Sequence, residues 1–444
     1  MPACNREAIF TCQGIMMTWR NRQRLLRFFR TSLWLVPAVC MVVALAAAPL
    51  IRWIDSHTHW MLLNFGPEGA RNVLNALASS LLTFIVFAFS TLTVAVQIAS
   101  GQLTPRIIAR VFQDKLTKLT VGAFVFSWLY SLAAIGRIDD HVPQLVVVFA
   151  IFTSLVSVLL FLVLVQRSSQ GLRPVIVMTD IANDTCAVID KVYPKHFPQD
   201  CPGSATPFPE PGKAMKTILH KGRSGVVLAI DPYGLSAVAE RTNCTIVVVP
   251  MIGDFLATED TIFRIHGETL PAQDEAALLE FIDLGPERTL TQDPMFGLRI
   301  IVDIAAKALS PAINDPTTAV LAIDQLHHLL HRLANRQLDA VISRDRTGRP
   351  LLICSTPDWE NYVTMAITEI RLYGASSPQV TRRLRAMLES LLLVVPVQRR
   401  SALNEQMLLL QRAVEQAYTD PADRAQASQA DSQGYGHPRS GDSA

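Results

Sequence analysis

Four long apolar segments constrain this chain more strongly than any other feature of its sequence. They cover residues 33–51, 73–98, 119–135 and 142–165, and none of them contains Asp, Glu, Lys or Arg. A helix needs about 20 mostly apolar residues to cross the hydrocarbon core of a bilayer. The first segment is longer than the apolar region of a signal peptide, about 7–15 residues, so we expect it to be retained. The sequence therefore predicts four membrane-spanning helices.

The composition fits a membrane protein and argues against several other classes. Of the 444 residues, 18% are charged and 50% are hydrophobic, whereas soluble domains average about 25% charged residues. The 40 basic and 38 acidic side chains leave a net charge of +2, without the basic excess that is typical of nucleic-acid binding. The seven cysteines form no CxxC pair, which argues against zinc ribbons and thioredoxin motifs. We expect no nucleic acid partner, no metal and no cofactor.

Basic residues flank the apolar segments unevenly, and this asymmetry predicts the orientation. One set of flanks contains Arg20, Arg22, Arg24, Arg27, Arg30, Arg106, Arg110, Lys115, Lys118, Arg167 and Arg173. The opposite loops contain only Arg52, Arg71 and Arg137. Because Lys- and Arg-rich loops stay in the cytoplasm, we expect a multi-pass protein of the bacterial inner membrane with both termini inside. The basic, partly apolar segment from Trp19 to Phe29 indicates a helix on the inner membrane surface.

After the fourth segment the pattern changes to that of a soluble α+β region. Residues 224–231, 244–250 and 261–265 are short strand-like runs bounded by turn residues, which indicates a small barrel or sandwich. Residues 175–178 and 186–192 fit either strands or a short helix that continues from the membrane. The predicted fold class is a membrane α-helical protein with four transmembrane helices plus a cytoplasmic α+β domain, with a small β-rich part and a C-terminal helical part.

These patterns also predict the domain boundaries. The polar composition of the last residues, rich in Ala, Ser, Gln and Gly, indicates disorder. We expect a basic cytoplasmic N-terminus (1–30), a four-helix transmembrane domain (31–170), a β-rich subdomain (171–270), a helical subdomain (271–419) and a disordered tail (420–444).

The second apolar segment has a polar face. With spacings of three, four or seven residues, these side chains lie along one side of a helix: Asn75, Ser79, Thr83, Ser90, Thr93 and Gln97. Ser127 and Ser131 in the third segment, and Ser154 and Ser157 in the fourth, have similar spacing. One interpretation is helix–helix packing through small polar residues. The other is a water-lined path, in which hydroxyls and amides replace hydration.

A second polar group lies in the soluble region, around a turn between two predicted helices. It comprises Asp293, Arg299, Asp303, Lys307, Ser310, Asn314, Asp315 and Thr318. A purely structural interpretation is that Asp315 caps a helix that begins at Pro316 and that the charges form an exposed ladder. The alternative is a ligand or ion site at the helix N-terminus, formed by Asp303, Asn314 and Asp315.

Histidine clusters give weaker signals. His327 and His331 are four residues apart, as zinc ligands on a helix are, but the HHLLH sequence lacks the glutamate base of HExxH. A helix surface on which Asp324 pairs with His328 is the simpler interpretation. Asp55, His57 and His59 are either a weak external site or an ordinary interfacial loop. Since Walker A, GxGxxG and GxSxG patterns are absent, we name no catalytic residue, and enzymatic activity is the least supported role.

Several motifs together resemble a known family. They are QIASGQLTPR at 97–106, SG at 224–225 with ID at 230–231, GDF at 253–255, DPMFG at 293–297 and ALSPAINDP at 308–316. They resemble an uncharacterised bacterial family of predicted membrane proteins, DUF2254, in which DUF stands for domain of unknown function. The resemblance covers roughly residues 24–418. It implies a four-span inner-membrane protein with a cytoplasmic domain and brings no activity, substrate or catalytic residue.

Three functional hypotheses follow. The first is a homo-oligomeric channel or transport-like protein whose second span lines the path and whose cytosolic domain senses or gates. The second is a membrane-anchored ligand-binding or sensory module, with its site for an unidentified small ligand or ion at the Asp- and Asn-rich turn. The third is a membrane-bound enzyme.

Overall fold

The chain forms two compact units that are each assembled from separate stretches of sequence. The computed structural model describes residues 18–58, 65–102, 104, 114–138, 142–171, 173–197, 215–267, 270–338 and 341–431. One unit combines residues 1–28, 206–292 and 340–356, and the other combines residues 29–205, 293–339 and 357–444.

The four predicted apolar helices are present. Helix α1 (Trp19–Thr31) precedes them, and they are α2 (Leu35–Thr58), α3 (Pro67–Gln102), α4 (Lys115–Ile135) and α5 (Gln144–Gly171). Each of the four is long and apolar enough to cross a membrane. The end of the first predicted span extends beyond residue 51, because α2 continues as a helix to residue 58.

Small side chains allow α2 and α4 to pack closely. Ala44 and Ala48, one turn apart on α2, are fully buried. On the facing helix, a Cβ added to Gly122 would lie 2.9 Å from the Sγ atom of Cys40. Close contact between small residues is the usual way in which helices associate in lipid, where apolar burial gives no advantage. This packing fixes which face of α4 is available to α3 and α5.

The first unit is built on two sheets. Its elements are β1 (Lys216–Leu219), β2 (Gly225–Ile230), α7 (Pro232–Arg241), β3 (Cys244–Val248), β4 (Phe255–Leu256), β5 (Thr261–Gly267), α8 (Ala272–Leu278), β6 (Ile282–Gly285), β7 (Val341–Arg344) and β8 (Pro350–Cys354). One sheet has the order β1-β5-β3-β8-β7 and the other β4-β2-β6. Strands β3 and β8 are parallel, and the other neighbours are antiparallel.

The segment between β5 and β6 contains a short α-helix. The helix α8 ends at Leu278, and Ile282 begins β6, which pairs with β2. A side-chain amide extends this sheet, because Gln292 donates to the Ile230 carbonyl over 3.3 Å and accepts from the Ile230 N–H over 3.0 Å. The core between the sheet strands and α7 contains the fully buried Leu235, Ile246 and Phe263.

The remaining helices belong to the second unit. They are α6 (Pro174–Val192), α9 (Pro294–Ala308), α10 (Pro316–Ala334), α11 (Trp359–Gly374), α12 (Pro378–Val394), α13 (Arg400–Ala417) and α14 (Pro421–Ala427). The ambiguous stretch after the membrane segments is thus one helix, α6. The predicted disorder from residue 420 is not seen over 421–431, because Asp420 caps α14 and Thr381 donates to the Ala427 carbonyl over 3.1 Å.

A buried arginine closes the C-terminal end of α10. The Arg399 side chain donates to the carbonyls of Leu333, Ala334 and Arg336 over 3.0, 2.6 and 2.7 Å. Its guanidinium carbon lies 5.5 Å from the centre of the Trp359 ring. The last carbonyls of a helix have no partner within the helix, so Arg399 supplies donors where water cannot reach.

The role of Arg399 is testable in the full chain. Arg399→Met keeps an apolar stem but leaves three buried carbonyls without donors, so we expect the free energy of unfolding to fall by about 3 kcal/mol. The neighbouring Arg400 is exposed, and Arg400→Met is the matched control with an expected effect within about 0.5 kcal/mol. Apparent melting temperatures of the purified protein in detergent measure the difference. Equal shifts for the two variants would contradict this role.

Candidate functional site

The polar face of α3 is exposed along its whole length. All six of its predicted members, Asn75, Ser79, Thr83, Ser90, Thr93 and Gln97, are on the exposed side. The opposite face of α3 is buried against the other apolar helices, with Leu74 and Leu81 at or below 1% exposure. The outer side of α3 therefore carries this polar stripe beside exposed apolar side chains such as Val86, Phe87 and Val94. Exposed polar side chains in the span are the reverse of what a single copy in lipid would favour.

The length of this face matches a bilayer. From Asn75 to Gln97 the helix rises about 33 Å, and the six side chains occupy an arc of about 80°. The hydrocarbon core of a membrane is about 30 Å thick. A shallow groove follows the C-terminal half of the face, lined by Ile85, Val86, Phe89, Ser90, Thr93, Val94 and Gln97.

Three of the hydroxyl groups on the polar face of α3 are bonded to the helix itself. Thr83 donates to the Ser79 carbonyl over 3.1 Å, Ser90 to the Val86 carbonyl over 3.0 Å and Thr93 to the Phe89 carbonyl over 2.9 Å. Such bonds satisfy the hydroxyl hydrogen and leave the oxygen lone pairs facing outward as acceptors. Asn75 and Gln97 expose side-chain amides near the two ends. The face thus offers acceptors along its middle and amides, which donate and accept, at its ends.

The serines of α4 and α5 behave differently. Ser127 and Ser157 are buried, and their hydroxyl oxygens lie 2.9 Å apart between the two helices. Ser131 and Ser154 are also buried, and each donates to a carbonyl of its own helix. These serines act in helix packing, which was one of the two interpretations for all the polar positions. Only the α3 set faces outward.

The second polar group is largely committed to helix ends. Asp293 is 3% exposed and accepts from the Phe296 N–H over 3.0 Å at the start of α9. Asp315 accepts from the N–H and the hydroxyl of Thr318 over 3.0 and 2.5 Å at the start of α10. Each aspartate is followed by proline at the first helical position. These bonds satisfy donors that the helix cannot.

The charges of the ladder are paired. Arg299 binds Asp303 over 2.9 Å and also binds Glu369 of α11. Ser310 donates to the Lys307 carbonyl over 2.7 Å, which closes the turn after α9. Glu369 was not identified from the sequence, because its partner lies 70 residues away and no local pattern signals the pair.

Asn314 supports the geometry of this turn. It is exposed and has a φ of 48°, in the left-handed region that asparagine tolerates better than most residues. Its N–H donates to the Ser310 carbonyl over 2.9 Å, and the following N–H, that of Asp315, donates to the Ala308 carbonyl over 2.7 Å. The turn between α9 and α10 is therefore held by its own backbone.

The histidine cluster on α10 has a structural environment. Asp324 binds Arg383 in a bidentate pair, over 2.6 and 2.8 Å, and the Nε2 atom of His328 lies 3.4 Å from the Sγ atom of Cys186. Burial, together with the nearby His331, whose ring centre is 6.2 Å away, lowers the pKa of His327 to about 4. Within the ranges that the structure describes, no group of three His, Cys, Asp or Glu side chains could hold a metal ion.

Two members of the predicted external cluster, Asp55 and His57, have different partners. Asp55 accepts from the Leu145 N–H over 3.1 Å at the start of α5. The ring of His57 lies 2.8 Å from the Trp53 carbonyl of its own helix. His59 lies outside the described residues. Asp55 therefore caps the N-terminus of α5.

The structural role of the turn can be separated from a ligand role. We expect Asp315→Ala to lower the free energy of unfolding by about 1 kcal/mol, because α10 loses its N-cap. Asp315→Asn should retain most of that stability, since asparagine caps almost as well. Thermal unfolding of both variants in detergent gives the comparison. If the asparagine variant were as unstable as the alanine variant, capping would not explain why the carboxylate is there.

Comparisons with known proteins agree with the architecture. An uncharacterized protein of Mycobacterium bovis and one of Mycobacterium tuberculosis are each 26% identical to this chain over 421 residues, which cover 91% of this chain and 80% of the relative. No solved structure gives a significant match. The family model DUF2254, described as a predicted membrane protein, matches residues 30–390. The chain belongs to this family.

Proposed function

We propose that this protein is an oligomeric channel or transport-like protein of the bacterial inner membrane, with both termini in the cytoplasm. Several copies would meet along α3, and their polar faces would enclose a path for a small polar solute or ion. The single observation that carries this proposal is the outward direction of the α3 polar face. The distribution of Lys and Arg around the spans supports the orientation.

The outer faces of the other spans show the contrast. Exposed residues of α2 include Val39, Val42 and Leu45, and those of α5 include Leu155 and Leu159. These side chains are suited to lipid. Polar side chains within a bilayer gain about 0.6 kcal/mol on average from an interhelical hydrogen bond. A face of six polar residues therefore favours association of copies through α3 by several such contacts, or hydration of the space between them.

The chemistry of the face limits what the path would select. The four spans contain no charged residue within their predicted apolar runs, so charge selection inside the membrane is not supported. Hydroxyl oxygens and amide groups can replace part of a hydration shell. We infer that selectivity would come from the width of the path and from these dipoles, and that the soluble units would sense or gate.

The two other hypotheses have less support. The carboxylates of Asp293 and Asp315 accept helix N–H groups, and Asp303 pairs with Arg299. A ligand at this turn would have to compete with those bonds. The same side chains would serve an enzyme, and no described residue gives such chemistry a specific geometry.

The path can be tested by chemical accessibility combined with conductance. We expect Thr83→Cys and Gln97→Cys, reconstituted in planar bilayers, to react with a cationic, membrane-impermeant thiol reagent and to lose conductance several-fold on modification. Val42→Cys is the matched control, since Val42 is 68% exposed on α2 and away from the polar face. The unsubstituted protein sets the background of the native cysteines.

Two results would overturn the proposal. One is the absence of conductance from protein that is correctly inserted. The other is equal labelling of the α3 positions and of position 42, which would mean that the α3 face meets lipid like the rest of the surface.

A further inference from the structure

The helix α1 has two faces with different surroundings. One face carries Leu25, Leu26, Phe28 and Phe29, which are 42%, 46%, 59% and 46% exposed. At 100° per residue these four side chains occupy about half of the helix circumference. Leucine and phenylalanine at such exposure, grouped on one helix face, form an exposed apolar surface.

The opposite face of α1 is bound to the first unit. Arg27 forms an ion pair with Asp283 of β6, and Arg20 forms one with Glu280 just before that strand. Arg24 lies 3.8 Å from the same Asp283 carboxylate. The Asp283 side chain is only 4% exposed, so the Arg27 pair is shielded from solvent on its acidic side.

These contacts change what the basic residues of α1 can do. From sequence alone, a basic amphipathic helix predicts binding to anionic lipid headgroups. Releasing Arg27 to a lipid phosphate would leave the buried Asp283 carboxylate with only the more distant Arg24, which is costly. Arg20 is likewise engaged with Glu280. The arginines therefore hold α1 on β6, and the apolar face is what remains to meet another surface.

We propose that α1 anchors the first unit to the membrane surface through its apolar face, while Arg20, Arg24 and Arg27 bind carboxylates of that unit instead of lipid phosphates. The occupant of the face is the lipid bilayer. Helix α1 ends at residue 31 and α2, a candidate span, begins at residue 35, so the chain places α1 beside the point where α2 enters. Amphipathic helices lie in this interface with the apolar side toward the acyl chains.

This inference goes beyond the proposed channel. It rests on the membrane placement of that proposal and does not require a path along α3. The exposed Arg22 lies within the arc of the apolar face, at its N-terminal end, and leaves room for a weak contribution from anionic lipid. The expected binding is therefore nearly independent of lipid charge.

Photocrosslinking in the full chain tests the proposal. The photoreactive residue p-benzoylphenylalanine is introduced in place of Phe28 or, separately, of Leu25, and the protein is reconstituted in phosphatidylcholine vesicles with or without phosphatidylglycerol. We expect lipid adducts, detected by intact mass spectrometry, at both positions, with yields that differ less than about twofold between the two lipid mixtures. The probe in place of Arg346, exposed in the β7–β8 turn, is the matched control and should give no lipid adduct.

A third position separates failure of this inference from failure of the membrane placement. The probe in place of Val42 on α2 should give lipid adducts wherever the protein is inserted. Adducts at 42 without adducts at 25 and 28 would overturn the α1 anchor alone. Crosslinks from position 28 to a second copy, or to another part of the same chain such as its N-terminal residues, would overturn it too. Adducts found only with phosphatidylglycerol would mean that the arginines bind lipid phosphates, and this result would also overturn the proposal.

Discussion

The cost of placing polar groups against hydrocarbon is the constraint on which the rest of this structure depends. The bundle of α2 to α5 hides the serines of α4 and α5 between helices, where Ser127 and Ser157 bond to each other. It leaves the polar side of α3 outward. A bilayer offers no partner for those oxygens and amides, and this is the reason for proposing that copies meet along α3.

Several arginines of the second unit are held by carbonyls or carboxylates. Arginine 399 binds three carbonyls at the end of α10, Arg383 binds Asp324, and Arg299 bridges Asp303 and Glu369. Aspartates begin α9 and α10. Most of the polar side chains around the turn between α9 and α10 already bond to one another or to the backbone. Their number therefore does not require a ligand site at that turn. These bonds also direct attention to the α3 face and to the apolar side of α1.

Sequence reasoning succeeded where the cause of structure is local. Hydropathy located the four apolar helices, and the Asp-Pro pair at 315–316 marked the start of α10, because capping acts within one turn. It failed where partners are distant. The parallel pairing of β3 with β8 joins segments about 100 residues apart, and Arg383 and Glu369 reach across helices. The polar stripe of α3 was readable from its spacing, but its direction depends on packing that no single helix encodes.

The central claim is that the polar faces of α3 from different copies meet each other. Oxidative cross-linking of the Ser90→Cys variant in native membranes is the sharpest test. The control is Val42→Cys, on the exposed apolar face of α2. If the polar faces meet, Ser90→Cys forms more covalent oligomers than the unsubstituted protein does, and Val42→Cys forms no more than the unsubstituted protein. Cross-linking at position 42 that equals or exceeds that at position 90 would contradict it.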